Sequence, residues 1–121
     1  MTLSSTMRHR AWRRGRVAES VAAIFLRLKG FQILARGYKV PVGEIDIIAR
    51  RGRLVAFVEV KSRTNVDAAV EALTWRQRRR IGNAARWFLA QNPGLALCEL
   101  RYDLMLVTPC RVPVHISDAW R

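Results

Sequence analysis

The chain has 121 residues, half of them apolar, with 22 Lys plus Arg against 9 Asp plus Glu and a net charge of +13. This length fits one domain, and the composition excludes a disordered chain. No apolar run reaches the roughly 18 residues of a membrane span, and no signal-peptide pattern follows the basic N terminus, so we expect a cytoplasmic protein without a membrane segment. The excess of positive charge suits a polyanion, which makes nucleic acid the expected partner.

The N-terminal region predicts a basic arm followed by a helix. Residues 1–14 contain few apolar side chains and a run of Arg, which is typical of a flexible arm, so the folded domain is expected over residues 15–121. Within residues 15–29 the large apolar side chains recur at helical spacing, namely at Val17, Val21, Ile24, Phe25 and Leu28. Gly30 stands where a left-handed cap ends such a helix.

Three strands are expected next. A short strand is predicted over residues 31–36, with a turn at residues 41–43. Residues 44–49 alternate between polar and apolar side chains, and residues 54–61 are rich in Val and Phe. The intervening residues 50–53 have the length and the glycine of a hairpin connection, so these two strands are predicted to be antiparallel.

The C-terminal half predicts a second long helix and two more strands. After a short helical turn at residues 67–73, Thr74 and Gln77 fit a capping box that starts a helix from about Trp75 to Gln91. Its expected inward side chains are Ile81, Ala84, Ala85 and Phe88. Strands are predicted over residues 97–107 and 112–116, with residues 117–121 as a tail. This order of elements favours an α/β or α+β domain in which helices flank a central mixed sheet.

Acidic side chains concentrate in the two central strands. Because side chains alternate across a strand, Glu44 and Asp46 are expected on one face, with Ile45, Ile47 and Ala49 on the other, and Glu59 and Lys61 share a face of the next strand. The expected hairpin register places position 44 opposite 59, with position 46 as a diagonal neighbour. Three carboxylates and one ammonium group would then converge. Like charges gathered in this way are unfavourable unless a cation lies between them.

This combination predicts a divalent-metal site able to act on phosphodiesters. Carboxylate oxygens and waters are the ligands that Mg²⁺ takes, and a neighbouring ammonium can hold an attacking water or stabilise charge on a phosphate. The alternative is a Glu59–Lys61 salt bridge on a solvated sheet face, since Glu-x-Lys alone is a common sequence. The position of Asp46, the turn at Gly52 and the apolar frame of both strands favour the metal site.

Further candidate residues lie on the helices and on a later strand. Glu19 falls in the apolar arc of the first helix, so it is expected either to pair with an arginine or to join the carboxylates. Trp75 and Trp87 can stack on bases, but a Trp at helical spacing more often belongs to a core, and the core is the favoured interpretation. Asp103 is expected to be a strand residue that pairs with an arginine.

Several segments together resemble a known nuclease pattern. The similarity to the PD-(D/E)XK nucleases is carried by Ala18-Glu19, by Gly43-Glu44-Ile45-Asp46-Ile47-Ile48-Ala49 and by Phe57-Val58-Glu59-Val60-Lys61-Ser62-Arg63. More closely, nearly the whole chain is similar to the bacterial YraN-like family of predicted endonucleases, distant relatives of the archaeal Holliday junction resolvases. Ile45 stands where the superfamily's name has Pro.

The resemblance implies a restriction-endonuclease-like fold and a metal-dependent endonuclease that hydrolyses phosphodiester bonds in DNA, with structured or branched DNA as the expected substrate. Asp46 and Glu59 would bind Mg²⁺ or Mn²⁺. Lys61 would position the water or stabilise the transition state, and Glu19 would correspond to the helix acid of the resolvases. Glu44 and Gln77 are accessory candidates, and for Gln77 capping of the helix is favoured over orientation of a water.

The partners follow from the same comparison and from the charge pattern. Phosphate contacts are expected from exposed arginines, namely Arg63, Arg76, Arg78, Arg79 and Arg80. A homodimer is an expected option, because junction resolvases cut two strands symmetrically. The alternative function is a nucleic-acid-binding module that keeps the nuclease fold without catalysis, since a fold alone does not guarantee turnover.

Overall fold

The structure is a computed structural model that describes the backbone of residues 5–121 and the side chains of residues 15–121. In chain order the elements are α1 (Ser5–Leu28), β1 (Gln32–Val40), β2 (Gly43–Arg51), β3 (Leu54–Lys61), α2 (Val66–Ala72), α3 (Trp75–Gln91), a 3₁₀ turn (Pro93–Leu95), β4 (Glu99–Leu106) and β5 (Val114–Trp120). The arm predicted for residues 1–14 lies outside the fully described residues and stays a prediction. Within the described chain, no helix has both the length and the apolar character needed to cross a membrane.

The five strands form one mixed sheet in the order β1-β2-β3-β4-β5. Strands β3 and β4 are parallel, and the other neighbours are antiparallel. A parallel pair needs a crossover connection, which α2 and α3 supply. With helices flanking this sheet, the α/β fold class predicted from the sequence is confirmed, and the architecture is consistent with a restriction-endonuclease-like fold.

Two apolar clusters cover opposite faces of the sheet. On one face, α3 buries the four side chains expected from its periodicity, Ile81, Ala84, Ala85 and Phe88. They pack against strand residues that include Ile48, Val55, Phe57 and Leu104. On the other face, α1 packs against residues that include Ile47, Ala49, Ala56 and Val58. The central strands are therefore buried on both sides.

Helix α1 presents small side chains to the sheet. Its buried residues are Ala18, Ala22, Ala23 and Leu26. Val17, Ile24 and Leu28, which the spacing had placed on the apolar face, are 61%, 55% and 81% exposed. Small side chains let a helix lie closer to its neighbour, so the alanine face is the one that packs. This rotation also brings Glu19 toward the sheet.

Gly43 sets the distance between β2 and α3. A Cβ atom at this position would lie 1.9 Å from the carbonyl oxygen of Arg80, so only glycine allows the approach. The contact brings α3 against the beginning of β2, three residues before Asp46. The helix is thereby fixed beside the strand that carries the candidate site.

Three strands are longer than the sequence pattern predicted, namely β1, β2 and β5. Strand β1 extends to Val40 because Gly37, with φ of 58°, bends the strand without ending its pairing to β2. The predicted tail at residues 117–121 is wrong, since β5 continues to Trp120. Trp120 stacks on Tyr102 with ring centroids 5.4 Å apart, a long-range contact that no local pattern reveals.

Candidate active site

The hairpin of β2 and β3 brings two acids to one end of the sheet. Its ladder closes on a two-residue turn and runs to the pair Ile47 and Val58. One step further along this register, Asp46 stands opposite Glu59. The predicted register, with position 44 opposite 59, was therefore wrong by two residues, because the two-residue turn is formed by Gly52 and Arg53, one position later than that pairing requires.

Asp46 lies in a fork between the two strands. Beyond Ile47, β2 continues to pair with β1, while β3 continues beside β4. The Asp46 Oδ2 atom accepts a hydrogen bond of 2.8 Å from the Val60 N–H group, which replaces a backbone partner across the fork. Glu59 stands opposite Asp46, and each of these two carboxyl groups affects the pKa of the other. The two acids are thus adjacent at a break in the sheet.

The strand geometry around Asp46 departs from regular alternation. Ile45 and Ile47 were predicted on one face, but Ile45 packs in the cluster under α3 and Ile47 in the cluster under α1. Gly37, with its positive φ, is the residue of β1 that faces Asp46 between the flanking pairs of the ladder. This local bend turns the Asp46 side chain into the fork.

Lys61 completes the cluster. Its Nζ atom lies 3.4 Å from Glu59 Oε1, and the two side chains are only 10% and 13% exposed. The Lys61 ammonium also donates a hydrogen bond of 3.1 Å to Gln77 Oε1. The Glu59–Lys61 contact is therefore a buried pair held in place by α3, and not the solvated surface pair considered as the alternative.

Gln77 has two structural functions. Its backbone N–H donates to Thr74 Oγ1 at 3.1 Å, and its Oε1 accepts from the Thr74 N–H at 3.4 Å, which confirms the predicted capping box. The same Oε1 atom binds Lys61. The start of α3 and the position of the ammonium group are consequently linked through one side chain.

The positive charge around Asp46 and Glu59 is too small to stabilise both carboxylates. Burial and the charge of Asp46 together raise the pKa of Glu59 to about 8, because Lys61 opposes them only in part. Burial also raises the pKa of Asp46, although the Val60 hydrogen bond lowers it. A cation placed at this pair would relieve both effects.

Glu19 lies next to this cluster and has its own partner. Its Oε1 atom is 3.1 Å from Arg36 Nε, and its side chain is 21% exposed. Arg36 also donates to Ser20 Oγ at 2.8 Å. The alternative in which Glu19 pairs with an arginine is therefore confirmed, while the charge of Glu19 contributes to the raised pKa of Asp46. Arg36 was missed because its contact with α1 depends on tertiary packing alone.

Glu44 stays outside the cluster. It faces Lys39 across the β1–β2 ladder with a 3.8 Å separation between charged atoms, and its side chain is 54% exposed. The predicted convergence of three carboxylates is therefore wrong, and two converge. The ladder pairing explains this result, since Glu44 is turned to the exposed β1 side of the strand end.

The basic side chains proposed for phosphate contacts are all exposed, namely Arg63, Arg76, Arg78, Arg79 and Arg80. The prediction that both tryptophans of α3 belong to the core is wrong. Trp75 is 73% and Trp87 38% exposed. Helix α3 buries only a narrow stripe formed by Ile81, Ala84, Ala85 and Phe88, and both indole side chains lie outside this stripe.

The donor set at the fork fits Mg²⁺ or Mn²⁺. Among residues 15–121 there is no group of three or more His, Cys, Asp and Glu side chains arranged to hold a metal ion. Mg²⁺, however, is commonly bound through one or two carboxylates with water completing its shell. Asp46 and Glu59 supply two adjacent, under-neutralised carboxyl groups, which is the chemistry that such an ion needs.

The fold and the site together define a class: an α/β protein whose mixed sheet carries a buried carboxylate–lysine cluster at the end of its central hairpin. The chain belongs to the family described as "Uncharacterised protein family UPF0102", whose family profile matches residues 18–107. It is 58% identical to a UPF0102 protein of Paramagnetospirillum magneticum, covering 92% of this chain and 89% of the relative. A UPF0102 protein of Parvibaculum lavamentivorans is 50% identical over 92% and 84% of the two chains.

Proposed function

We propose that this protein is a metal-dependent endonuclease that hydrolyses phosphodiester bonds in DNA. The observation that carries the proposal is the cluster of Asp46, Glu59 and Lys61, in which two adjacent buried acids have a single buried ammonium group beside them, paired with Glu59. A buried acid pair with raised pKa values is a costly arrangement, and such groups concentrate at functional sites. The similarity of the surrounding segments to the PD-(D/E)XK pattern supports the same chemistry.

Asp46 and Glu59 would bind the ion. When bound, Mg²⁺ or Mn²⁺ polarises a phosphoryl oxygen and lowers the pKa of a bound water. The protein prepares this site by fixing the two carboxyl groups before the ion arrives. The Val60 N–H holds Asp46 from the backbone, and the register of the hairpin holds Glu59 beside it. Little reorganisation is then required on binding.

Lys61 would act on the phosphate or on the attacking water. Its ammonium group has three donors, of which one is used by Gln77 and another faces Glu59, so a donor is left for a phosphate or water oxygen. In a buried site such a donor is worth more than in water, because charge that develops in the transition state is poorly screened. Glu19, which is held by Arg36, would contribute through the effect of its negative charge on the pKa of Asp46.

The test is a cleavage assay with purified protein, Mg²⁺ or Mn²⁺, and duplex, flap and four-way DNA substrates. Wild type is expected to cut at least one of them. Asp46→Asn and Lys61→Ala are each expected to lose about 100-fold to 1000-fold in rate, since each removes a charge that contacts the reacting groups. Glu71→Gln, an exposed acid on α2, is the matched control and should cut like wild type. The proposal fails if wild type cuts no substrate, or if Asp46→Asn cuts as fast.

The second candidate is a nucleic-acid-binding module without catalysis. It is favoured by the net charge of +13 and by the exposed arginines of α3. Its signature is binding that weakens steeply with salt through counterion release, and that is indifferent to Mg²⁺ and to Asp46→Asn. Binding measured with and without Mg²⁺ therefore separates the two functions in the same set of proteins.

A further inference from the structure

A cavity of about 320 Å³ lies between α3 and the adjoining strands β4 and β5. Its lining consists of aromatic residues, arginines and one glycine, without an acidic side chain: Trp75, Arg78, Arg79, Gly82, Arg86, Tyr102, Trp120 and Arg121. None of these residues belongs to the Asp46–Glu59 cluster. The cavity is within the size range of small-ligand sites, and its lining combines flat apolar surfaces with positive charge.

Trp75 supplies an open aromatic surface at one wall. It is 73% exposed, and its described ring contact is with Arg79, whose guanidinium lies 5.5 Å from the ring centroid. Trp120, by contrast, is 7% exposed and stacks on Tyr102, so these two rings form a fixed floor. An indole that projects into water beside such a floor offers its face to a planar ligand.

Three of the four arginines at the cavity have no carboxylate partner among the residues whose side chains are described. Within residues 15–121, no carboxylate lies at ion-pair distance from Arg78, Arg79 or Arg86. Arg86 donates to the Asn83 side-chain oxygen, which is neutral. Arg121 does pair with Asp118, at 3.0 Å and in an exposed position. The unpaired guanidinium groups have the planar donor geometry that binds phosphate.

Gly82 keeps the cavity open. Glycine is a poor helix former, and Gly82 lies inside α3, so its presence there needs a reason. Packing does not require it: an added Cβ atom would make only ordinary contacts, 3.7 Å from Arg86 Nη1 and 3.9 Å from Tyr102 Oη. The effect of the missing side chain is to leave room between the helix and Tyr102.

We infer that this cavity binds one unstacked nucleotide of a single-stranded segment in the DNA substrate, with the base on Trp75 and the phosphate among the arginines. The inference rests on the proposed function and deepens it. A duplex hides the faces of its bases and offers phosphates alone, whereas a single strand offers both groups. Trp75 is two residues from Gln77, which contacts Lys61, so one helix end serves the cavity and the candidate active site. This site selects DNA with unpaired nucleotides.

The test measures binding of a labelled 20-nucleotide oligo(dT) and of a matched duplex by fluorescence anisotropy in EDTA. Gly82→Leu keeps every charge, replaces glycine with a good helix former and fills the cavity. Trp75→Ala removes the stacking surface. Each is expected to raise the Kd for oligo(dT) about 10-fold and the Kd for duplex by less than about 2-fold. Gly15→Leu is the matched control, since a Cβ on that α1 residue meets nothing within 4 Å.

The inference is overturned if wild type does not bind oligo(dT), if both variants bind it as wild type does, or if they lose affinity for single strand and duplex equally. The last result would mean that the cavity residues bind phosphates of any DNA and do not recognise an unstacked base. Thermal melting of Gly82→Leu and Trp75→Ala verifies folding, and Trp75→Ala, whose side chain is mostly exposed, keeps the test valid if Gly82→Leu does not fold. EDTA prevents metal-dependent cleavage, so the binding assay does not depend on nuclease activity. The binding results can therefore be interpreted even if the nuclease proposal fails.

Discussion

Asp103 and Glu59 are both buried acids, yet the protein surrounds them in opposite ways. Asp103 is fully buried and receives two hydrogen bonds from Arg101, at 2.8 and 2.9 Å, one from His115 at 2.7 Å and one from the Asp118 N–H at 3.0 Å. Glu59 has Lys61 at 3.4 Å and a second acid, Asp46, in contact. One carboxylate has an excess of donors, and the other has a deficit.

The pKa values express this difference. Burial alone would raise the pKa of Asp103, but the hydrogen bonds from His115, Arg101 and Asp118 lower it to about 2. The pKa of Glu59 is raised to about 8 by burial and by Asp46. Burial of an acid is therefore not the mark of a functional site. The mark is burial without enough donors, because only that arrangement leaves an interaction for a ligand to complete.

The largest expected effect on stability comes from the fully satisfied site. Asp103→Ala should lower the free energy of unfolding by about 3–5 kcal/mol, because it leaves Arg101 and its neighbours without their buried partner. Urea unfolding at pH 7 measures the change, with Glu71→Ala on the exposed face of α2 as control. A loss below about 1 kcal/mol would mean that the network contributes little to the fold.

Glu59→Gln should raise the free energy of unfolding, in contrast to Asp103→Ala. The folded-state pKa of Glu59 lies above its unfolded value, so the wild-type protein loses stability as pH rises from about 4.5 to about 8. Glutamine does not ionise, so the metal-free variant should gain a few kcal/mol over wild type across that window and keep the gain above it. Urea unfolding in EDTA at pH 4.5 and pH 9 tests this. Equal stability at pH 9 would contradict the charge deficit at the fork.

The contribution of Asp103 to stability should be lost at a lower pH than that at which Glu59 titrates. Its folded pKa is depressed, so its contribution is present above the unfolded value of 3.8 and is lost as pH falls toward 2. The stability difference between wild type and Asp103→Asn should shrink by about 2 kcal/mol over this range. Unfolding curves at pH 5, 3.5 and 2.5 measure it, and a difference that does not vary with pH would refute the assignment.

A smaller effect is expected at Gln77, which joins the fork to α3. Gln77→Ala should cost about 1 kcal/mol through loss of the capping box. Gln77→Glu keeps an acceptor for both Thr74 and Lys61, so it should retain wild-type stability. Thermal melting compares the two. If both variants melt alike, the side chain does not stabilise the helix start.

Glu44→Gln is expected to have the smallest effect on stability. The pair with Lys39 is long and exposed, so its loss should change stability by less than about 0.5 kcal/mol. The comparison with Glu59→Gln is matched in chemistry, since the same substitution is made on neighbouring strands. A large effect at Glu44 would show that the exposed strand end is coupled to the fork.

Much of the fold was accessible from local patterns. The bounds of α3, its four inward residues and its capping box were predicted correctly, because helix periodicity and caps involve residues within a few positions of one another. The bounds of β3 were also predicted correctly, and so was the pairing of Asp103 with an arginine. The buried face of α1 was not, because close packing favoured its small residues over its large ones.

The candidate site shows where such prediction ends. Its residue types and strands were evident in the sequence, but the register was wrong by two residues. A two-residue slip keeps every side chain on its own face, so hydrophobic alternation cannot detect it. The pair Asp46 and Glu59 is selected by the position of the turn at Gly52 and Arg53 and by the fork at Asp46. Glu44 then pairs with Lys39.

The order of elements, the α/β class and the set of residues able to carry the chemistry could be predicted from the sequence, since they depend on composition and local spacing. Which acids meet, which one is neutralised and where α3 leaves a cavity follow from packing. Those outcomes depend on contacts between segments far apart in the chain. Their energies are fixed only when the sheet closes and the helices pack against it.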